Sequence, residues 1–326
     1  MTTGILRKSV ATLGAVLGLS AQAVSPSAGS ATGFEARFAP LYATVFTEGA
    51  SFSGKAMSAD LQALEPLVKK SGVAASDVFR LFYTEASVYG RRGMPAEAAQ
   101  AAQAALVAMP QVSDPQWAYA HFFLRYSSIR WLADSEQYEA ALKLVRSFQS
   151  QYPLPQIERL PVEMRWDDSH PIPQARDFPS QLQILGVYED EGYVLHEQGK
   201  YREARLANER LLPVSRQRLK ALGKMERMRG LLTNIAQNCY ELGEFDQART
   251  YLQERLQIAL NVQDHTTVYD CYFQLMVLAH EQKQIQQARQ WLTRYEQYAL
   301  AQNDSQQQAR AKELLAELGQ RNTGHR

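Results

Sequence analysis

The sequence predicts an all-α protein, an α-solenoid of about five helix pairs preceded by an N-terminal capping helix pair. Three observations predict this fold. A short motif recurs along the chain, each copy reads as two amphipathic helices joined by a tight turn, and the composition is that of a folded protein. Each copy carries an alanine at the same point, and the five are Ala98, Ala141, Ala204, Ala248 and Ala288.

Composition excludes several classes of protein. With 326 residues, of which 45% are hydrophobic and 21% charged, the chain can bury a sizeable core. Its 35 Lys and Arg against 34 Asp and Glu argue against a nucleic-acid partner that is bound through many phosphate contacts. Two cysteines are too few for a disulfide-rich scaffold or a cysteine zinc cluster. We therefore expect no cofactor and no bound metal.

The first 23 residues have the pattern of a signal peptide. Arg7 and Lys8 form the positive end, Val10–Leu19 is an apolar run, and Ala21 to Ala23 is a small-residue cleavage box. A short buried helix is the alternative interpretation. The apolar run is shorter than the ~20 residues that cross a bilayer. The pattern predicts a soluble, exported protein, periplasmic or secreted, whose mature N-terminus is flexible over residues 24–33.

Residues 34–78 are expected to form the N-terminal cap. Helical periodicity covers Phe34–Thr47 and Ser58–Lys70, but neither segment carries the repeated motif. The open end of a stack of helix pairs needs such an atypical element to cover it.

The motif itself has a direct physical interpretation. Gly199-Lys-Tyr-Arg-Glu-Ala204 is matched by Gly243-Glu-Phe-Asp-Gln-Ala248, and later by a copy in which Lys283 replaces the glycine. Glycine ends the first helix because it adopts a left-handed backbone angle at little cost. The alanine allows the second helix to approach the first closely. One such pair cannot bury its apolar face alone, so the pairs must stack.

The pattern resembles the tetratricopeptide repeat family, in the version with extended helices. With each alanine at position 20 of a 34-residue unit, the units start near residues 79, 122, 185, 229 and 269. Glu85, Asn208 and Arg255 depart from the pattern, which prefers apolar or small residues there. The resemblance implies a right-handed solenoid. It places repeats 1 and 2 in residues 79–153, repeats 3 to 5 with a C-terminal helix in 185–318, and a disordered tail in 319–326.

A proline-rich insertion over residues 154–184 separates the second and third repeats. An insertion of this length without repeat pattern is either functional or mobile. It contains side chains that could supply hard oxygen ligands or an acid–base pair, namely Trp166, Asp167, Asp168 and His170. Solvated loop residues are the alternative interpretation.

Other candidate chemistry is incomplete. Gly49–Ala56 resembles a phosphate-binding loop, but Ala56 stands where a metal-binding hydroxyl is needed. His196 and His280, each followed by glutamate, lack the second histidine of a zinc-protease helix. The repeat register separates Cys239 from Cys271 by about 12 Å along parallel helices, which predicts two buried free thiols.

The family resemblance assigns a concave groove to the first helix of each repeat. The groove is expected to bind a partner through aromatic, amide and charged side chains. Arginines are placed in the first two repeats and carboxylates in the last three. The assigned residues are Arg80, Tyr83, Arg91, Phe123, Tyr126, Arg130, Glu189, Asp190, Tyr193, His196, Asn234, Gln237, Tyr240, Asp270, Phe273 and His280.

These features favour an exported, non-enzymatic scaffold that holds a protein or peptide partner in the groove, with no catalytic residue and no membrane-embedded segment. Two alternatives stay open at this stage. One is a hydrolase or metal site on residues 153–179, and the other is an inhibitor or immunity-type protein that uses the same loop. The oligomeric state is left open.

Overall fold

The computed structural model describes residues 33–46, 53–69, 73–109, 115–163 and 179–320, and every regular element within these ranges is helical. This confirms the all-α repeat fold. The described residues up to Gly199 form one compact unit, and those from Lys200 onward form a second. We call them the N-terminal unit and the C-terminal unit. The predicted signal peptide lies outside the described residues.

The N-terminal unit contains a capping region, two complete helix pairs and the first helix of the third pair. A short 3-10 helix, Leu154–Arg159, follows the second pair at the start of the insertion. The α-helices are α1 (Phe34–Phe46), α2 (Gly54–Gln62), α3 (Glu65–Val68), α4 (Ala75–Arg91), α5 (Pro95–Ala108), α6 (Pro115–Asp134), α7 (Tyr138–Gln151) and α8 (Gln181–Glu197).

The C-terminal unit contains the second helix of the third pair, two further pairs and a final helix. A 3-10 turn, Met225–Arg227, precedes the fourth pair. The α-helices are α9 (Tyr201–Ala221), α10 (Met228–Glu241), α11 (Phe245–Asn261), α12 (His265–Glu281), α13 (Ile285–Ala301) and α14 (Ser305–Gln320).

The repeated alanine is the most regular feature of the packing. It is the fourth residue of α5, α7, α9, α11 and α13, and its exposed fraction is 0% in all five helices. Within the pairs α4–α5, α6–α7, α10–α11 and α12–α13, the two helices contact each other along their length. The small side chain therefore sits where the helices are in contact, as the motif predicts.

The turn inside each pair uses a left-handed residue. Gly93, Gly199 and Gly243 have φ of 67°, 76° and 74°, and the same position is filled by Glu136 and Lys283 at 63° and 59°. In the α10–α11 turn, the Glu244 N–H donates to the carbonyl of Cys239 at 2.8 Å, which closes the helix end. The backbone thus keeps one turn geometry even where glycine has been replaced.

The capping region differs in detail from the expectation. The predicted second capping helix, Ser58–Lys70, is two short helices, α2 and α3, with Pro66 in the first turn of the second. Ser53 caps the start of α2, so Gly54 and Ala56 of the phosphate-loop-like segment lie in a helical turn. The aromatic residues of α1 join one hydrophobic core with α4.

Glu85 on α4 is a buried carboxyl group in this core. Its exposed fraction is 3%, and its Oε1 atom has no hydrogen-bond partner among the residues that the structure describes. Burial, reinforced by the negative charge of Glu65, raises the pKa of Glu85 to about 8, against the opposing charge of Lys69. The folded protein therefore keeps this group protonated at neutral pH.

Replacing Lys283 by glycine should raise the free energy of unfolding by about 0.5 to 1 kcal/mol, because a side chain is strained at this φ. Gly243→Ala should lower it by about 1 kcal/mol. An added Cβ at Gly243 meets nothing within 4 Å, so this loss would come from the backbone alone. Urea denaturation measures both changes. Lys283→Ala is the control, because alanine removes the long side chain but keeps a Cβ at the left-handed backbone angle. An increase in the free energy of unfolding for Lys283→Ala would contradict the explanation.

The Glu85 carboxyl predicts a pH dependence of stability. Below pH ~4.5 both folded and unfolded chains hold the proton; between about 4.5 and 8 only the folded chain holds it, so stability falls as pH rises. Relative to Glu85→Gln, the wild-type free energy of unfolding should fall by on the order of 3 kcal/mol between pH 5 and 8. Denaturation followed by tryptophan fluorescence at several pH values checks this. Exposed Glu203→Gln is the control, and parallel pH profiles for wild type and Glu85→Gln would refute the assignment.

Candidate functional site

The residues assigned to the groove lie on the first helices of the pairs. In the N-terminal unit these are α4, α6 and α8, and each contacts the next. We call the side of these helices that carries the assigned residues the first-helix face. In the C-terminal unit the assigned residues lie on α10 and α12.

Helix α1 covers the α4 part of the first-helix face. The Arg80 guanidinium is 2% exposed and donates to both carboxylate oxygens of Glu35, at 2.8 and 3.1 Å. Its charge also lies 4.9 Å from the ring centroid of Phe38. The Tyr83 ring is buried and stacks on Phe46, with centroids 5.0 Å apart. These two predicted groove residues hold α1 in place rather than facing a partner.

Arg91 also belongs to this contact, although it lies at the exposed end of α4. Its Nη1 donates to the carbonyl oxygen of Val45 at 2.8 Å. The three groove positions predicted on α4 therefore all contact α1, which lies over the face and was expected to cap the end of the stack.

The α6 and α8 part of the face carries half-buried aromatic rings. Phe123 packs edge-on against Tyr83, with centroids 6.1 Å apart, and Tyr126 stacks on Phe122 at 6.0 Å. A Cβ at Gly186 of α8 would lie 2.6 Å from the Tyr126 hydroxyl oxygen. Glycine at this position therefore allows the Tyr126 side chain to lie against α8.

Two polar contacts join α6 and α8 one helical turn apart. Arg130 Nε donates to Asp190 at 2.8 Å, and the Tyr193 hydroxyl donates to Asp134. The Arg130 guanidinium also lies 4.8 Å from the ring centroid of Tyr193. These contacts join Arg130, Asp134, Asp190 and Tyr193 in one cluster on the face. All of them except Asp134 were assigned to the groove from the sequence.

Burial and the neighbouring charge of Arg130 have opposite effects on the pKa of Asp190 in this cluster. The Asp190 side chain is 2% exposed, whereas that of Arg130 is 49% exposed. Burial raises the pKa of Asp190 despite the adjacent Arg130 charge. The Asp190 carboxylate raises the pKa of Arg130. About half of the Arg130 side chain is therefore exposed to solvent, while its positive charge is paired with the buried Asp190 carboxylate.

Glu189 and His196 lie half-buried on α8 beside this cluster. The insertion joins the unit just before them. The Gln181 N–H donates to the Pro161 carbonyl at 2.8 Å, and its side-chain amide donates to the Leu160 carbonyl at 2.9 Å. The four residues singled out within the insertion lie outside the described residues, and these are Trp166, Asp167, Asp168 and His170.

In the C-terminal unit the predicted groove residues are half-buried. Asn234, Gln237 and Tyr240 lie on α10, and the Tyr240 ring packs edge-on against Phe245 at 5.6 Å. The remaining three, Asp270, Phe273 and His280, lie on α12.

Asp270 is neutralised by a residue that the sequence interpretation did not assign. Arg255 on α11 is 9% exposed and donates to Asp270 Oδ2 at 2.6 Å, and Gln274 donates to both carboxylate oxygens at 3.1 Å. Arg255 appeared in the sequence only as a departure from the repeat pattern. A charged residue at an apolar position of the repeat was the signal for this buried pair.

A cleft of about 830 Å³ opens between α12, α13 and α14, and it includes Asp270 and Phe273. Its aromatic wall is formed by Tyr269 and Tyr295, whose ring centroids are 5.2 Å apart. The other lining residues come from α14: Gln306, Gln307, Ala309, Arg310, Lys312, Glu313 and Leu314. None of these α14 residues was predicted from the sequence, because α14 does not carry the repeated motif.

Both cysteines are buried free thiols, as their positions in the repeat predict. Burial raises the pKa of Cys239 to about 11 and that of Cys271 to about 12, so both thiols are protonated and unreactive at neutral pH. Across the described part of the chain, no three His, Cys, Asp or Glu side chains come together as a metal site. None of the described helices is both long and apolar enough to span a membrane.

No family model and no curated protein matches the chain. Among solved structures, the chain is similar to one described as the crystal structure of Rap protein complexed with competence and sporulation factor. The identity is 11% and the TM-score 0.41, and the match covers 84% of this chain and 72% of that chain. A likeness at this level does not bear on the function of this protein.

Proposed function

We propose that this protein is a non-enzymatic scaffold that binds a protein or peptide segment at the exposed parts of its first helices. One observation carries the proposal: aromatic rings on these helices are half-exposed and held by their neighbours. Tyr126 lies between Phe122 and Gly186, and Tyr193 is hydrogen-bonded to Asp134 and covered by the Arg130 guanidinium. Pre-positioned aromatic and arginine side chains lose little conformational entropy on binding and are typical binding hot spots.

The arrangement suits recognition rather than catalysis. Within the α6–α8 cluster, Arg130 pairs with Asp190, and Asp134 accepts a hydrogen bond from the Tyr193 hydroxyl. Burial holds the two thiols protonated, so neither is activated as a nucleophile. A partner would therefore gain from ring contact and from hydrogen bonds at the rim of the cluster.

Substitutions of aromatic residues in each of the two units test the proposal. Tyr126→Ala combined with Tyr193→Ala, or Phe273→Ala in the C-terminal unit, should weaken partner binding at least tenfold, because each removes aromatic contact area from the exposed face. The measurement is capture of the partner by the immobilised protein from an envelope extract, followed by titration of the identified partner. Val107→Ala and Leu300→Ala, which shorten exposed apolar side chains elsewhere, are the matched controls.

Substitutions in the insertion test the alternative that the insertion carries the function. Replacing Asp167, Asp168 and His170 by alanine should leave capture unchanged. If this triple variant lost the partner while the aromatic variants kept it, a function carried by the insertion would replace the scaffold proposal.

We also propose that the protein is exported and acts in the periplasm or outside the cell. The order of Arg7 and Lys8, the apolar run Val10–Leu19 and the Ala21–Ala23 box supports this. Expression of the full sequence in a Gram-negative host should yield a periplasmic protein that begins at Val24, as N-terminal sequencing would show. Ala21→Lys with Ala23→Lys should block the cleavage. An uncleaved chain retained in the cytoplasm would exclude export.

A further inference from the structure

The cleft between α12, α13 and α14 is lined by polar side chains and by aromatic rings. Helix α14 buries Ala311, Leu314 and Leu318 and packs on α13, which leaves its polar side beside α12. It occupies the place of a first helix whose second helix does not follow within the described residues. The lining residues all belong to the C-terminal unit.

Three side chains of the cleft accept hydrogen bonds from neighbouring residues. Both oxygens of Asp270 accept from Gln274, and one also accepts from Arg255 at 2.6 Å. The Glu313 carboxylate accepts from Arg310 at 2.9 Å. The side-chain carbonyl of Gln307 accepts from the Tyr295 hydroxyl.

The donors of the cleft are left available. The exposed Lys312 ammonium makes no hydrogen bond or ion pair with any residue that the structure describes. Because Tyr295 engages the carbonyl of Gln307, the amide N–H₂ of Gln307 is the free end of that side chain. Asp270 pairs with Arg255 and Glu313 pairs with Arg310, so Lys312 is a cation of the lining that has no carboxylate partner among the described residues.

The wall beside these donors is aromatic. Tyr269 and Tyr295 are buried, and Phe273 is half-exposed on the same helix as Tyr269. Their ring faces and edges accept an apolar or aromatic side chain. Donors and rings thus line the same cleft.

We infer that the cleft binds a peptide segment of a partner protein in which an acidic side chain lies next to an aromatic or large aliphatic one. The carboxylate accepts from Lys312 and Gln307, and the neighbouring side chain packs on Phe273 and the tyrosine pair. This inference rests on the proposed function and specifies the chemistry of the partner at this end of the protein.

Fluorescence anisotropy with two peptides tests the inference on the full chain. The first probe is a fluorescein-labelled, C-terminally amidated peptide, Gly-Gly-Asp-Phe-Asp-Leu-Gly-Gly, and the second has asparagine in place of each aspartate. The acidic peptide should bind at least tenfold more tightly than the amide peptide. Its affinity should fall as salt is raised, because a charge contact contributes to it.

Variants assign the binding to the cleft. Lys312→Glu should weaken the acidic peptide at least tenfold and leave the amide peptide unchanged, whereas Lys312→Arg should retain binding. Lys220→Glu makes the same charge change at an exposed position of α9 and is the matched control. Phe273→Ala should weaken both peptides.

The other possible outcomes overturn the acidic preference, the location of the site or the scaffold proposal. Equal binding of both peptides, or no effect of Lys312→Glu, overturns the acidic preference while sensitivity to Phe273→Ala still supports the scaffold. Binding that is insensitive to Phe273→Ala places the peptide site elsewhere and overturns the inference. If neither peptide binds, the inference fails, and the scaffold proposal fails with it only if capture of the natural partner is also unaffected by the aromatic variants.

Discussion

The close contact between the two helices of a pair, as in α4–α5, α6–α7, α10–α11 and α12–α13, is the constraint on which the rest of the structure depends. A fully buried alanine one turn into the second helix and a left-handed residue in the turn occur together in every copy of the motif. A larger side chain at the alanine would push the helix axes apart and change which residues meet across the pair. That contact fixes how α6 lies on α7 and how α12 lies on α13.

Much of the fold could be predicted because its determinants are local and repeated. The alanines, the turns and the burial of both cysteines follow from positions within one unit of the motif. The place of α1 could not be predicted in this way. It depends on contacts between residues far apart in the chain, such as that of Glu35 with Arg80, which are 45 positions apart. These contacts involve α1, which does not carry the repeated motif, so the repeat does not reveal them. The position of Arg80 within the repeat unit alone predicted that it lies on an open surface.

The charged residues show the same limit of sequence reasoning. Sequence suggested a groove with positive and negative ends, but Arg80, Arg130 and Asp270 each pair with an opposite charge nearby. Formal charge can be counted from the sequence, whereas the balance at a site depends on which side chains fold next to each other. The cleft beside α14 illustrates this, since its character is set by one lysine that remains after the pairs are formed.

The hydrogen bonds from Gln181 to Leu160 and Pro161 join the part of the insertion that precedes residues 164–178 to the part that follows them. A chain segment that leaves and re-enters a domain at the same point can be lengthened, shortened or exchanged with little mechanical effect on the helices on either side. This position is therefore a natural acceptor for foreign sequence. An epitope, a reporter or a second binding module could be spliced there while α7 and α8 keep their mutual register.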